Sequence, residues 1–148
     1  MQIYTIGYGV PGAMATLENF VNAGGFLFDI RFSPSSANPI WRRESLQTRF
    51  GDAYRHVKAL GNKNFRGGPI EIVDFAAGRK LIEAQTAPVV LMCVCKNLAE
   101  CHRMTVTEML VAVGHTVNEV EYVVVEPKKK KKIEEVKEEP PVQPTLWG

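Results

Sequence analysis

Thr16-Leu-Glu-Asn-Phe-Val-Asn-Ala-Gly-Gly-Phe-Leu-Phe-Asp-Ile30 is the stretch on which the fold turns. Leu17, Phe20 and Val21 recur at helical spacing, and Gly24-Gly25 supplies the stop. Phe26 to Ile30 is then short and apolar on both faces, the pattern of a strand buried in a parallel sheet with helices on either side. Upstream, Gln2-Ile-Tyr-Thr-Ile-Gly7 alternates and is rich in β-formers before Gly7-Tyr8-Gly9 breaks it. Strand, helix and strand make a βαβ unit.

The same alternation continues. Arg31-Phe-Ser-Pro-Ser-Ser-Ala-Asn-Pro39 reads as a polar loop, Trp41 to Phe50 returns to helical spacing, and Tyr54 to Val57 is a weak third strand. Gly61 to Pro69 has the composition of an exposed loop, and the spacing predicts a helix over Ile70 to Gln85. Ala87-Pro-Val-Val-Leu-Met-Cys93 is the clearest strand. A helix over 99–113 follows, with Met104, Met109, Leu110 and Val113 inward and Gly114 ending it, and Thr116 to Val125 closes the series as a last strand. The expected fold is a three-layer, Rossmann-like α/β domain with a mostly parallel sheet of about five strands.

At 148 residues and 45% hydrophobic content the chain has material for one core, placed in residues 1–126. No run approaches the roughly 18 apolar residues that span a bilayer, and the start lacks the basic and apolar regions of a secretory signal. A cytoplasmic protein without a membrane partner is expected. Residues 1–126 balance twelve Lys/Arg against twelve Asp/Glu, yet Arg42, Arg43, Arg49, Arg55, Lys58, Lys63 and Arg66 face only Glu44 and Asp52 over 42–66. That stretch is either a phosphate-attracting patch or an ordinary solvated face. Residues 127–148 change abruptly to Pro127, five lysines, an acidic run and Pro140-Pro141, the composition of a disordered linker.

Ligands in parallel α/β sheets sit outside the carboxyl ends of the strands. This rule gathers Gly7, Tyr8 and Gly9 after the first strand, Asp29, Arg31, Ser33, Ser35 and Ser36 after the second, and Cys93 to Arg103 after the fourth. All three cysteines, Cys93, Cys95 and Cys101, fall within nine positions beside His102 and Arg103. A helix start, an arginine and a protonated histidine lower a thiol pKa, so Cys93 or Cys101 with His102 is a candidate nucleophile and acid/base pair. The alternative for Cys93 is a plain core residue. A zinc or iron site on Cys93, Cys95, Cys101 and His102 is a further alternative, but the Cys-x-x-Cys spacing is missing and adjacent Cys101-His102 seldom chelate one ion together; no cofactor is expected. Asp29 is a candidate general base or an orienting partner for a base, Arg31 and Arg103 are candidate anion grips, and a structural Asp29–Arg31 pair is the competing reading. For the serines, turn formation beside Pro34 competes with anion binding. His56 and His115 read as surface or core histidines.

The ordered series Tyr4-Thr-Ile-Gly7, Asp29-Ile-Arg-Phe-Ser-Pro-Ser-Ser36, Tyr54-Arg-His56 with Leu60-Gly61, Leu91-Met-Cys93 and Cys101-His-Arg103 resembles the bacterial, archaeal and phage family called domain of unknown function 488. The resemblance covers about residues 2–125. It implies an α/β domain with Asp29, Arg31, Ser36, Cys93, Cys101, His102 and Arg103 in signature positions, and it leaves the reaction open. Cys95 departs from the acidic residue more usual there, and Glu119 falls near a position where relatives often carry a His. A weaker likeness of layout to rhodanese-like and cysteine-phosphatase domains supports an anion-binding loop, although seven residues separate Cys95 from Arg103 and nine separate Cys93 from it, where the phosphatases need five.

Gln143-Pro-Thr-Leu-Trp147 resembles the peptide by which bacterial and phage proteins dock on the sliding clamp. Gln143, Thr145, Leu146 and Trp147 fit, and Pro144 departs. This implies a role in DNA metabolism. The leading expectation is a small enzyme, a hydrolase or transferase, acting on a nucleotide or nucleic acid. The alternatives are a non-catalytic nucleic-acid-binding module recruited to the clamp and a metal-binding or thiol redox protein.

Overall fold

The computed structural model describes residues 2–94 and 102–124. Along the chain run β1 (Ile3–Gly7), α1 (Ala13–Asn22), β2 (Phe26–Asp29), α2 (Arg43–Phe50), β3 (Tyr54–His56), α3 (Phe75–Glu83), β4 (Val89–Cys93), α4 (His102–Ala112) and β5 (Val117–Glu119). The five strands form one sheet in the order β3-β2-β4-β1-β5, and every neighbouring pair is parallel. This is the expected three-layer α/β arrangement.

β4 lies at the centre because it alone can be buried everywhere. All five of its residues are buried. Val89, Leu91 and Cys93 pack with Ile82 of α3 and Val106 and Leu110 of α4, whereas Val90 and Met92 pack with Leu17 of α1 and Leu46 of α2. Two residues per repeat send alternate side chains to opposite faces, so an unbroken apolar run fits only a strand covered on both sides. β2 does the same with Phe28 and Ile30 on the α3/α4 face and Leu27 on the other.

Two expected elements come out much shorter. The helix expected from Ile70 begins at Phe75, because residues 61–73 close a small hairpin instead. Lys63 N donates to Glu71 O (2.8 Å) and Val73 N to Gly61 O (3.0 Å), after which Asp74 caps α3 by accepting from Ala77 N (3.1 Å). The last strand stops at Glu119, one bond after which Val120 N still reaches Thr5 O (3.0 Å). Beyond it Tyr122 turns back, and its hydroxyl accepts from Gly7 N (3.0 Å).

Leu60-Gly61 has a packing explanation. A β-carbon on Gly61 would lie 2.8 Å from Phe32 Cα, so the loop after β3 touches the loop after β2 backbone to backbone. Leu60, fully buried, fills the space that Gly78 of α3 leaves open, since a β-carbon there would sit 2.4 Å from the leucine side chain. These two contacts draw the β2 loop, the β3 loop and α3 together over the carboxyl ends of the strands.

Candidate strand-end site

The sheet register assembles the site. Ile30 N donates to Met92 O (3.0 Å), Tyr8 N to Cys93 O (2.9 Å) and Gly9 N to Val94 O (3.1 Å), so the ends of β1, β2 and β4 stay in line past the last paired residues. Between them opens a cavity of about 370 Å³ whose walls include Tyr8, Arg31, Ser33, Ser35, Cys93 and His102. Phe32, Asn62, Phe65 and Ile70 close its outer side. Among the described residues, each of the three segments gathered by the strand-end rule contributes to this wall: Tyr8 from the first, Arg31, Ser33 and Ser35 from the second, and Cys93 and His102 from the third.

Asp29 is fully buried and its two oxygens accept four bonds. Oδ1 receives Arg31 N (3.2 Å) and Nε (2.8 Å), while Oδ2 receives Arg31 Nη2 (2.5 Å) and the Tyr54 hydroxyl (2.6 Å). A carboxylate filled in this way orients Arg31; it has no lone pair directed at a substrate. Burial and the neighbouring Asp29 push the Tyr54 hydroxyl far up, so it remains a donor. Burial alone disfavours the Arg31 charge, but the Asp29 bonds and charge outweigh it and hold the guanidinium protonated. Arg31 Nη1 also donates to Ser35 O (3.2 Å). Among the described residues these side-chain bonds engage three of its five N–H groups, and the remaining two belong to a side chain on the cavity wall.

His102 opens α4, and its Nε2 donates to Ile30 O (2.9 Å). Burial lowers its pKa, helped by Arg103 and opposed by the Ile30 bond and Asp29, so the ring is neutral near pH 7 with Nδ1 as the acceptor nitrogen. His56 does the matching job one residue on, where its Nε2 donates to Arg31 O (2.7 Å). Two histidines, from β3 and α4, thus hold consecutive carbonyls of the β2 loop. Cys93 is buried at the end of β4 and is disulfide-bonded.

Several expected site residues are placed elsewhere. Arg103, fully buried, turns away from the cavity: Nη1 pairs with Glu119 Oε1 and lies 3.4 Å from Thr5 Oγ1. Thr5 Oγ1 donates to the same Glu119 oxygen (2.6 Å), and the Tyr122 hydroxyl donates to the other (2.6 Å). Burial and that bond push the Tyr122 pKa up to about 12. The amide of Gly7 is taken by Tyr122, and those of Tyr8 and Gly9 by the carbonyls of Cys93 and Val94, so none of the three is left for a phosphate. Ser36 serves the turn, its Oγ accepting from Asn38 N (3.2 Å) and its carbonyl from Arg42 Nε (2.9 Å). Cys95, Cys101, Gln143, Leu146 and Trp147 lie outside the described residues. Among the described residues no group of three or more His, Cys, Asp or Glu side chains is placed to hold a metal ion.

The aromatic walls were not legible beforehand. Tyr8 stacks on Trp41 (4.6 Å between centroids, 19° between planes), and Arg31 Cζ lies 5.3 Å from the Tyr8 centroid. Across the cavity Phe32 stacks on Phe65 (5.3 Å, 25°). The only sequence signal for Phe65 was an aromatic residue stranded in a polar, glycine-rich loop.

A larger groove of about 670 Å³ runs between α1 and residues 118–123. Glu119 and Glu121 line it and, among the described residues, neither a cation nor a thiol does, which suits it poorly to an anion. No described helix is long and apolar enough to cross a membrane. The fold and strand-end cavity therefore define a parallel α/β protein with an arginine-walled pocket at the usual ligand position of that class. No family model, curated protein or solved structure matches the chain.

Proposed function

We propose that this chain is a small cytoplasmic enzyme of the domain of unknown function 488 type that acts on a nucleotide or nucleic acid, as a hydrolase or transferase. The observation that carries the reading is the convergence of Arg31, Cys93 and neutral His102 on one aromatic-walled cavity of about 370 Å³. Arg31, clamped by Asp29, offers its remaining N–H groups to a phosphate beside the Ser33 and Ser35 walls. His102 offers Nδ1 as a proton acceptor, and Cys93 in its reduced form supplies the nucleophile. Arg103, Ser36 and Gly7 support the fold around the site.

Calorimetry on the reduced full chain with inorganic phosphate and nucleoside monophosphates tests this reading. Binding that survives Cys93→Ser and His102→Gln, together with turnover that does not, supports it; reduced protein that binds neither phosphate nor any nucleotide overturns it.

A second reading, a non-catalytic nucleic-acid-binding module recruited to the sliding clamp in DNA metabolism, draws on Gln143, Leu146 and Trp147. Clamp recovery by chains with and without residues 143–148 decides it, and equal recovery removes it. The disulfide at Cys93 favours a third, thiol redox reading, in which reductant alone would change activity with no nucleotide dependence.

A further inference from the structure

The two rings of the cavity's outer wall, Phe32 and Phe65, are each flanked by a cation. Lys58 Nζ stands 4.4 Å from the Phe32 centroid, Phe32 stacks on Phe65 at 5.3 Å, and Arg66 Cζ stands 5.2 Å from the Phe65 centroid. Phe65 is 48% exposed at the hairpin of residues 61–73, so this stack belongs to the rim and not to the core. Arg49 and Lys63 of the same basic stretch are paired with Glu18 and Glu71. Among the described residues no carboxylate is within ion-pair reach of Lys58 or Arg66.

An aromatic pair with one exposed ring, Phe65, on a half-buried one, Phe32, flanked by cations without acidic partners among the described residues, has the two elements that single strands need. A base has a π-face to lay on a ring or guanidinium plane, and its phosphates seek the neighbouring charges. The cavity itself lies near the lower end of the size range of small-ligand sites, room for about one nucleotide. The stack forms the outer wall of that space, on the side where the neighbour of a bound nucleotide would lie. In a duplex both faces of each base are already covered, so the platform selects against it.

We propose that the substrate is a single-stranded polynucleotide, with one nucleotide in the cavity and its neighbour stacked on Phe65 and Arg66, the intervening phosphate lying toward Lys58. This rests on the nucleotide reading of the cavity and adds the polymer. Lys63, Asn62 and Ile70 shape the hairpin that carries the platform; they are not assigned contacts.

The test is fluorescence anisotropy on the reduced full chain, with labelled oligothymidylate and oligouridylate of about twelve nucleotides, the matching duplex, and thymidine monophosphate as competitor. Keeping the tail in every variant holds the contribution of its lysines constant. The single strand is expected to bind about tenfold more tightly than the duplex, and Phe65→Ala and Phe65→Leu each to weaken the strand about tenfold more than they weaken the monophosphate. Lys58→Gln should make the salt dependence shallower by about one phosphate contact, and Arg66→Gln, which keeps no guanidinium plane, should weaken the strand through lost stacking. If the monophosphate binds but Phe65→Ala weakens the strand no more than it weakens the monophosphate, the polymer inference falls and the nucleotide reading stands. If neither ligand binds, both fall. Equal affinity for thymidylate and uridylate fits a platform that ignores the sugar; a large difference between them assigns the strand to DNA or RNA.

Discussion

Arg31 and Arg103 are the two buried arginines of the described chain, and each is held by a carboxylate, yet only Arg31 borders the cavity. Arg31 lies beyond the end of β2 and takes its partner, Asp29, from two residues back. Arg103 sits one residue into α4 and reaches over the sheet to Glu119 of β5 and Thr5 of β1. A local partner fixes a side chain at the loop from which it projects, while a distant partner draws it back across the strands. The same pair of residue types thus yields a ligand group in one place and a rivet in the other.

The largest effect should come from removing the carboxylates. Asp29→Asn leaves the Arg31 charge buried with half its fork unmatched, and about 3–5 kcal/mol of stability should go. Glu119→Gln should cost clearly less, because Glu119 is 31% exposed and water can stand in beside Arg103. Urea unfolding of both variants checks the order. Equal losses would break the distinction between a buried clamp and a half-open one.

Next comes Gly61→Ala. The added methyl meets the Phe32 backbone, which cannot swing aside as a flexible side chain would, so a loss of about 1–3 kcal/mol is expected. The strain falls on the β2 loop and should loosen Arg31 and Phe32 while leaving the Arg103 network intact. Hydrogen exchange reads this directly: faster exchange at Ile30 and Val57, with Val120 unchanged, separates the two regions. Uniform acceleration would mean that they unfold as one.

A paired substitution then asks what the two guanidinium groups do for a ligand. Arg31→Lys keeps the charge and loses the planar fork, and should weaken phosphate binding about tenfold. Arg103→Lys should leave that constant within twofold or so, since Arg103 does not border the cavity. Phosphate titration of both proteins gives the comparison, and a large effect at Arg103 would assign it to the site after all.

Why that distinction was hidden in the sequence is a matter of helix geometry. His102 and Arg103 are adjacent, and each step around an α-helix turns the side chain by about 100°, so one faces the cavity and the other the sheet. Nothing in Cys101-His-Arg103 says which. The sheet was easier to read, because β4 and β2 are apolar on both faces and only a covered parallel strand tolerates that. Asp29-Ile-Arg31 offered a general base or an orienting partner, and only the Tyr54 hydroxyl, 25 residues on, fills the carboxylate and leaves the second role. Phe32 and Phe65 were likewise too far apart in sequence for either to announce the other.

The smallest effect is a pH dependence confined to the cavity side. His102 has its pKa lowered by burial, so the folded state binds its proton less readily than the unfolded chain, whose histidine titrates near about 6.5. The stability it contributes is complete above that value and is lost as the pH falls toward the folded pKa, because there the unfolded state takes up the extra proton. Urea midpoints measured from neutral pH down to about 5 should therefore decline, and His102→Gln, whose amide can still donate to Ile30 O, should remove part of the slope. Glu119→Gln, changing only the Arg103 side, should leave that part in place. A decline unaltered by His102→Gln would place the responsible proton elsewhere and unlink the cavity from the acid response.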